Sequence, residues 1–235
     1  MIRYARLPLP FDVQAMQAQL SLLNDDWQEH FNTFYYEGSW TVLALRSPGG
    51  VSENITPDLM VNANYLDTSW MLHFPSVNQL IAGLECPVMS VRFLKLQAGA
   101  IIKQHRDNEL AFEKGEARLH FAVITNPKVL FYVENERVVL QEGEAWYINA
   151  NLPHRVSNEG YSDRIHLVID CKVNDWLAAI ISQSEAISYK HDRTNNDIVN
   201  IIKELRLQNT AVADKLAIEL ERQLIDFASN GDTNN

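Results

Sequence analysis

Arg118-Leu119-His120-Phe121-Ala122-Val123 and, farther on, Arg164-Ile165-His166-Leu167-Val168-Ile169 carry one alternation twice. Successive side chains of a strand point to opposite faces, so each stretch puts Arg-x-His on one side and only apolar residues on the other. Working outward, Met89–Leu96, Ile101–His105, Val129–Glu134, Arg137–Leu140 and Glu144–Asn149 also read as short strands, and the two quoted stretches extend to Thr125 and Cys171. Between them stand turn-forming pairs such as Ala98-Gly99, Asn126-Pro127, Glu142-Gly143 and Glu159-Gly160. The expectation is a mainly β protein built as an antiparallel sandwich or barrel.

The flanks are helical. Asp12 is placed to cap a helix carrying Val13, Met16, Leu20 and Leu23, and Pro75 to open one running to about Leu84. An aromatic tract holds Trp27, Phe31, Phe34, Tyr35, Tyr36 and Trp40; packing is its ordinary role and a substrate wall the alternative. Thr41–Arg46 reads as a strand, and 51–69 as a long surface loop. After Cys171, Asn174 caps a helix with Trp176, Leu177, Ile180 and Ile181. Two more helices carry Ile198, Ile201, Ile202 and Leu205, then Val212, Leu216, Leu220 and Leu224. The organisation expected is an N-terminal helical and edge-strand segment (1–88), a β core (89–172), a C-terminal helical segment (173–229) and a disordered tail (230–235). The C-terminal helices suit a lid, a brace or a homodimer surface.

Composition narrows the function. With 235 residues, 46% hydrophobic and 21% charged, the chain can fill one core. A formal net charge of −10 argues against nucleic acid or an anionic membrane as partner. Cys86 and Cys171 lack ligand-pair spacing and read as buried thiols, and neither a leader nor a membrane-length apolar run is visible, so a cytoplasmic location is expected.

Against that acidic background the Arg-x-His faces stand out. A solvent-facing side is the plain alternative, but these faces end in Ala122 and Val168, and Arg92 shares a side with Leu94 and Leu96. A cation facing a core interior needs a partner, and a small carboxylate ligand would serve. Two residues apart in a segment with strand character, His105 and Asp107 fall on one side. A second imidazole is available in His154, where Pro153 favours a turn over a ladder position. Two imidazoles and a carboxylate with open positions are the facial set of non-haem Fe(II) oxygenases. Arg164 is placed to hold the remote carboxylate of a 2-oxo acid.

His-Arg-Asp at 105–107, Arg-Leu-His at 118–120, Gly-Glu-Ala-Trp-Tyr-Ile-Asn-Ala-Asn-Leu-Pro-His at 143–154 and Arg-Ile-His-Leu-Val-Ile-Asp at 164–170 resemble the aspartyl/asparaginyl β-hydroxylase family, most of all its bacterial cis-4-proline hydroxylases. The resemblance is firm over Met89–Asp170. It implies a double-stranded β-helix (cupin-like jelly roll), Fe(II), and 2-oxoglutarate as cosubstrate. His105, Asp107 and His154 match the metal ligands, Arg164 the arginine for the 5-carboxylate of 2-oxoglutarate, and Arg118 and His120 the Arg-x-His beside the cosubstrate and substrate carboxylates. Arg92 is inferred from strand parity to anchor the substrate carboxylate together with Arg118. Asp107 is absent from membrane-anchored animal members that act on folded modules, so the expected substrate is a free amino acid or small peptide. The alternatives are hydroxylation of an aspartyl or asparaginyl residue in a protein, a cupin-type metal enzyme without a 2-oxo acid, and a non-catalytic small-molecule sensor.

Overall fold

A computed structural model describes residues 1–23, 26–55, 63–107, 110–184, 186–189 and 195–230. Along the chain run β1 (Ile2–Leu7), α1 (Val13–Leu20), β2 (Gln28–Glu29), β3 (Tyr36–Glu37), β4 (Trp40–Pro48), β5 (Tyr65–Asp67), α2 (Pro75–Ala82), β6 (Val88–Leu96), β7 (Ile101–His105) and β8 (Glu116–Ile124). These are followed by β9 (Val129–Val133), β10 (Glu136–Val138), β11 (Ala145–Ile148), β12 (His154–Asn158), β13 (Arg164–Lys172), α3 (Asp175–Ser182), β14 (Ile187–Tyr189), α4 (Asn195–Leu207) and α5 (Ala211–Asn230).

The strands form two antiparallel sheets. The larger has the order β14-β1-β11-β8-β13-β6-β4-β2, with β5 on β4, and the smaller the order β10-β9-β12-β7-β3. This is the antiparallel sandwich expected from the strand spacing, in the jelly-roll (double-stranded β-helix) form that the resemblance implied. In its larger sheet β8 and β13 lie side by side at the centre, with Val168 opposite His120 and Asp170 opposite Arg118.

Alternation along these two strands sorts their side chains into two layers. Leu119, Phe121, Leu167 and Ile169 point outward and pack with Phe93 against Met16 and Leu20 of α1, Val77 of α2, and Leu177 and Ile181 of α3. Each fully buried side chain of this kind is worth roughly 1.5–3 kcal/mol. Ala122 and Val168 point the other way and meet Ile102, Phe131 and Val156 of the smaller sheet. Both faces of β8 and β13 are therefore covered. Arg118, His120, Arg164 and His166 are all buried, which overturns the solvent-face alternative, because the second sheet lies over the side that carries them.

Helix ends follow the sequence. The Asp12 carboxylate accepts the Ala15 N–H at 2.9 Å, and the Asn174 side chain accepts the Leu177 N–H at 3.0 Å. Six strands, β1, β2, β3, β5, β12 and β14, were not anticipated. β1 pairs with β11 and β14, and β12 starts at His154 between β7 and β9. Pro153 was expected to hold His154 out of a ladder. It instead precedes the ladder, where its missing N–H costs nothing and its carbonyl accepts the Glu134 N–H at 2.6 Å. Within the expected 51–69 loop, Tyr65–Asp67 forms a strand on β4 and Ser69 begins a 3-10 turn, while 56–62 lie outside the described residues. Of the expected tail, 231–235 also lie outside them.

The chain divides into two compact units, Ile2–Tyr189 and Lys190–Asn235 with Met1. In the second, α4 and α5 pack on each other, and Arg206 of α4 bridges Asp214 and Glu221 of α5 at 2.9 and 3.2 Å. Among the described residues no helix is long and apolar enough to cross a membrane.

Candidate active site

Between the sheets lies a cavity of about 770 Å³ whose lining includes His105, Asp107, His154, Arg92, Arg118 and Arg164. That volume is within the roughly 300–1,000 Å³ of small-molecule sites.

The smaller sheet supplies the imidazoles. His105 ends β7 and His154 opens β12, directly opposite each other in the ladder, with ring centroids 4.2 Å apart. Asp107 lies just beyond the strand rather than in it, and its N–H donates to the Ala150 carbonyl at 2.8 Å. This turn still brings its carboxylate to 3.8 Å from His105 Nε2. One ligand atom from each of the three residues lies within 4.8 Å of the others. The Nδ1 atoms of His105 and His154 face the carbonyls of Lys103 and Leu152 at 2.8 and 3.0 Å. Carbonyls only accept, so both Nδ1 atoms carry hydrogen and both Nε2 lone pairs are free for a metal. Burial, and next the adjoining His105, lower the His154 pKa to about 4, which keeps that imidazole neutral. For Asp107, burial opposes ionisation, but the guanidinium of Arg118 and the two imidazoles outweigh it and its pKa is lowered.

The larger sheet supplies the cations. Asp170, fully buried, accepts from Arg118 Nε at 2.7 Å, Arg118 Nη2 at 3.0 Å, Arg92 Nη2 at 2.7 Å and the Ser90 hydroxyl at 2.8 Å. Arg118 Nη1 donates to Asp107, so one guanidinium joins this carboxylate to the candidate metal set. The partner that buried Arg92 and Arg118 require is thus Asp170, to which the sequence alone assigns no role. Its signal was parity, since Arg164, His166, Val168 and Asp170 alternate along one face.

Arg164 differs. It is 1% exposed, its Nε has no hydrogen-bond partner among the described residues, and its pKa falls to about 9 through burial, with no described carboxylate to offset it. His120 is buried beside it with Nδ1 likewise unpartnered among the described residues, and its pKa is lowered by burial and by Arg164. An anionic group is what this corner lacks. Toward the opening, His30 stacks on Trp40 with centroids 3.5 Å apart at 10°, and Tyr35 stacks on His105 at 5.3 Å. Of the aromatic tract, Trp40 is core and lines the cavity, while Phe31, Phe34 and Tyr35 are exposed, so packing accounts for only part of it.

The residues present fit a divalent metal with a carboxylate cosubstrate: two imidazoles with free Nε2, one ionised carboxylate, and a buried guanidinium lacking an anion. The family described as aspartyl/asparaginyl beta-hydroxylase matches residues 12–173. The chain belongs to the aspartyl/asparaginyl β-hydroxylase family. It is accordingly an enzyme of the hydroxylase class, and its His105, Asp107 and His154 fit the Fe(II) that the resemblance implied. The part of this hydroxylase that matches begins at the α1 N-cap and ends one residue past β13, so it contains the whole cavity. An L-proline cis-4-hydroxylase of Rhizobium meliloti (strain 1021) is 28% identical over 202 residues, covering 83% of this chain and 68% of that protein. Among solved structures, a Pseudomonas putida prolyl-4-hydroxylase gives a TM-score of 0.44 at 11% identity, covering 74% of this chain and 94% of that one. An oxidoreductase of the 2OG-Fe(II) oxygenase family from Burkholderia pseudomallei gives 0.43 at 10%, covering 68% and 78%.

Proposed function

We propose that the protein hydroxylates an unactivated C–H bond of a free amino acid or small peptide, with decarboxylation of 2-oxoglutarate to succinate. The observation that carries this reading is the conjunction, in one cavity, of the His105, Asp107 and His154 donor set with a buried Arg164 that has no acidic partner among the described residues. Iron and 2-oxoglutarate, when bound, supply with O₂ the oxidising chemistry that converts C–H to C–OH.

In this reading His105 and His154 offer Nε2, and Asp107 a carboxylate oxygen, to the metal. Arg164 anchors the 5-carboxylate of 2-oxoglutarate, and His120 lines the same corner. Arg92 and Arg118 hold the substrate carboxylate. Asp170 and the Ile55 carbonyl take one hydrogen each from Arg92 Nη2 and Nη1, so that among the described residues the second hydrogens and the Nε–H are left for a ligand. Binding of the carboxylate at that point fixes which carbon faces the metal, and orientation of this kind is the protein's share of catalysis. The walls of Trp40, Phe131 and Val156 exclude water. The relatedness to an L-proline cis-4-hydroxylase favours a free amino acid over a protein-borne residue.

The test is succinate formation by the purified enzyme with Fe(II), 2-oxoglutarate and single amino acids. Formation that needs all three components supports the reading. Turnover of an amino acid with 2-oxoglutarate omitted would point to a cupin-type metal enzyme and leave Arg164 without its role.

A further inference from the structure

We propose that His166 is a positioning residue for Arg164, a neutral acceptor that sets the direction of the guanidinium without cancelling its charge. The inference rests on the reading of Arg164 as the anchor for 2-oxoglutarate and explains how that anchor stays both ordered and cationic.

The geometry is specific. Arg164 Nη2 and His166 Nδ1 are 2.7 Å apart, and both residues are 1% exposed. A guanidinium can only donate, so Nδ1 is the acceptor and the imidazole hydrogen sits on Nε2. Burial, and then the charge of Arg164, keep His166 in its neutral form. Among the described residues its Nε2 has no hydrogen-bond partner, and His166 lines a small cavity of about 30 Å³ together with Thr125, Asn126 and Arg137, room enough for a single water. The other two buried arginines of the cavity take a different solution, since Arg92 and Arg118 are held by the carboxylate of Asp170. A carboxylate neutralises the cation it orients; an imidazole does not. One sheet face thus carries two arginines that share one carboxylate and one arginine that is oriented by a neutral group.

Position 166 can be varied at nearly constant shape. Asn Oδ1 stands as far from the backbone as His Nδ1, so His166→Asn keeps an acceptor; His166→Asp has the same outline with a negative charge; His166→Leu removes the acceptor. Calorimetric titration of Mn(II)-loaded protein with 2-oxoglutarate reads the effect without turnover. His166→Asn is expected to bind within about threefold of the wild type, and His166→Leu about tenfold more weakly, the scale of one hydrogen bond. His166→Asp is expected to lose about 30-fold or more, because the anion site is then already neutralised. In turnover, the KM for 2-oxoglutarate should move and that for the amino acid should not. Equal affinity of the Asp and Asn variants would overturn the proposal, as would wild-type affinity in the Leu variant. Should the Asp variant not fold, the contrast between Asn and Leu still decides. Arg164→Met separates the two levels: if it abolishes 2-oxoglutarate binding while the His166 series is flat, only the positioning role fails. If it leaves binding intact, the anchor reading fails as well.

Discussion

Arg118 and Asp170 stand directly opposite each other on β8 and β13 and are joined twice, Nε to Oδ1 at 2.7 Å and Nη2 to Oδ2 at 3.0 Å. Arg92 and Ser90 from β6 close on the same carboxylate, so Asp170 ties three central strands together beneath the cavity. Removing its charge leaves two buried guanidiniums short of a counter-ion. Asp170→Asn is expected to destabilise the fold by about 3–5 kcal/mol, the cost of breaking a buried ion pair. Urea unfolding checks this, and a change under about 1 kcal/mol would mean that solvent reaches these cations.

Acid should find the same residue. Burial alone would raise the Asp170 pKa, but Arg118 and Arg92, with the hydrogen bonds from Arg118 and Ser90, outweigh it and bring it to about 2. Its folded value thus lies below the unfolded one near 4, so its contribution is fully present above about pH 4. That contribution, about 2 kcal/mol, is lost as pH falls from about 4 through 2. Unfolding free energies measured from pH 5 downward should show this loss in the wild type, and a smaller acid slope in Asp170→Asn. Identical slopes would remove Asp170 from the acid response.

The metal set predicts loss of binding. His105→Ala or Asp107→Ala should lower Mn(II) affinity by more than about 100-fold, given that changes one shell farther out already cost about 10–100-fold. Asp107→Ala also frees Arg118 Nη1, though Asp170 still pairs that guanidinium, so the fold should persist. Equilibrium dialysis with near-UV circular dichroism distinguishes lost metal from lost structure. Retained affinity in both variants would exclude the triad as the metal site.

How much of this was legible in the sequence depends on range. The period-2 alternation at 118–123 and 164–169 is local, and it revealed the strands and the shared face of Arg118 and His120. Which side a second sheet covers is a long-range fact, and only the ladder of His154 with His105 and Val133 supplies it. β12 was hidden because Pro153 signals a turn, and β1 because its partners lie more than 130 residues away in β11 and β14. Asp107 was placed beside His105 by strand parity, yet the strand ends at His105 and the following turn makes the approach. The two roles of the acids, half-buried Asp107 toward the imidazoles and buried Asp170 beneath the arginines, cannot be separated by composition. Both are Asp on a face with Arg and His.

Succinate production across the twenty free amino acids, with Fe(II), 2-oxoglutarate and O₂, tests the central claim most directly. The account predicts that at least one of them, with L-proline the first to try, raises succinate well above the rate without substrate, in equal amount to a hydroxylated product, and that Arg164→Met suppresses both. Hydroxylated product formed at an undiminished rate without 2-oxoglutarate, or no succinate from any amino acid by a metal-loaded enzyme that binds 2-oxoglutarate, would contradict it.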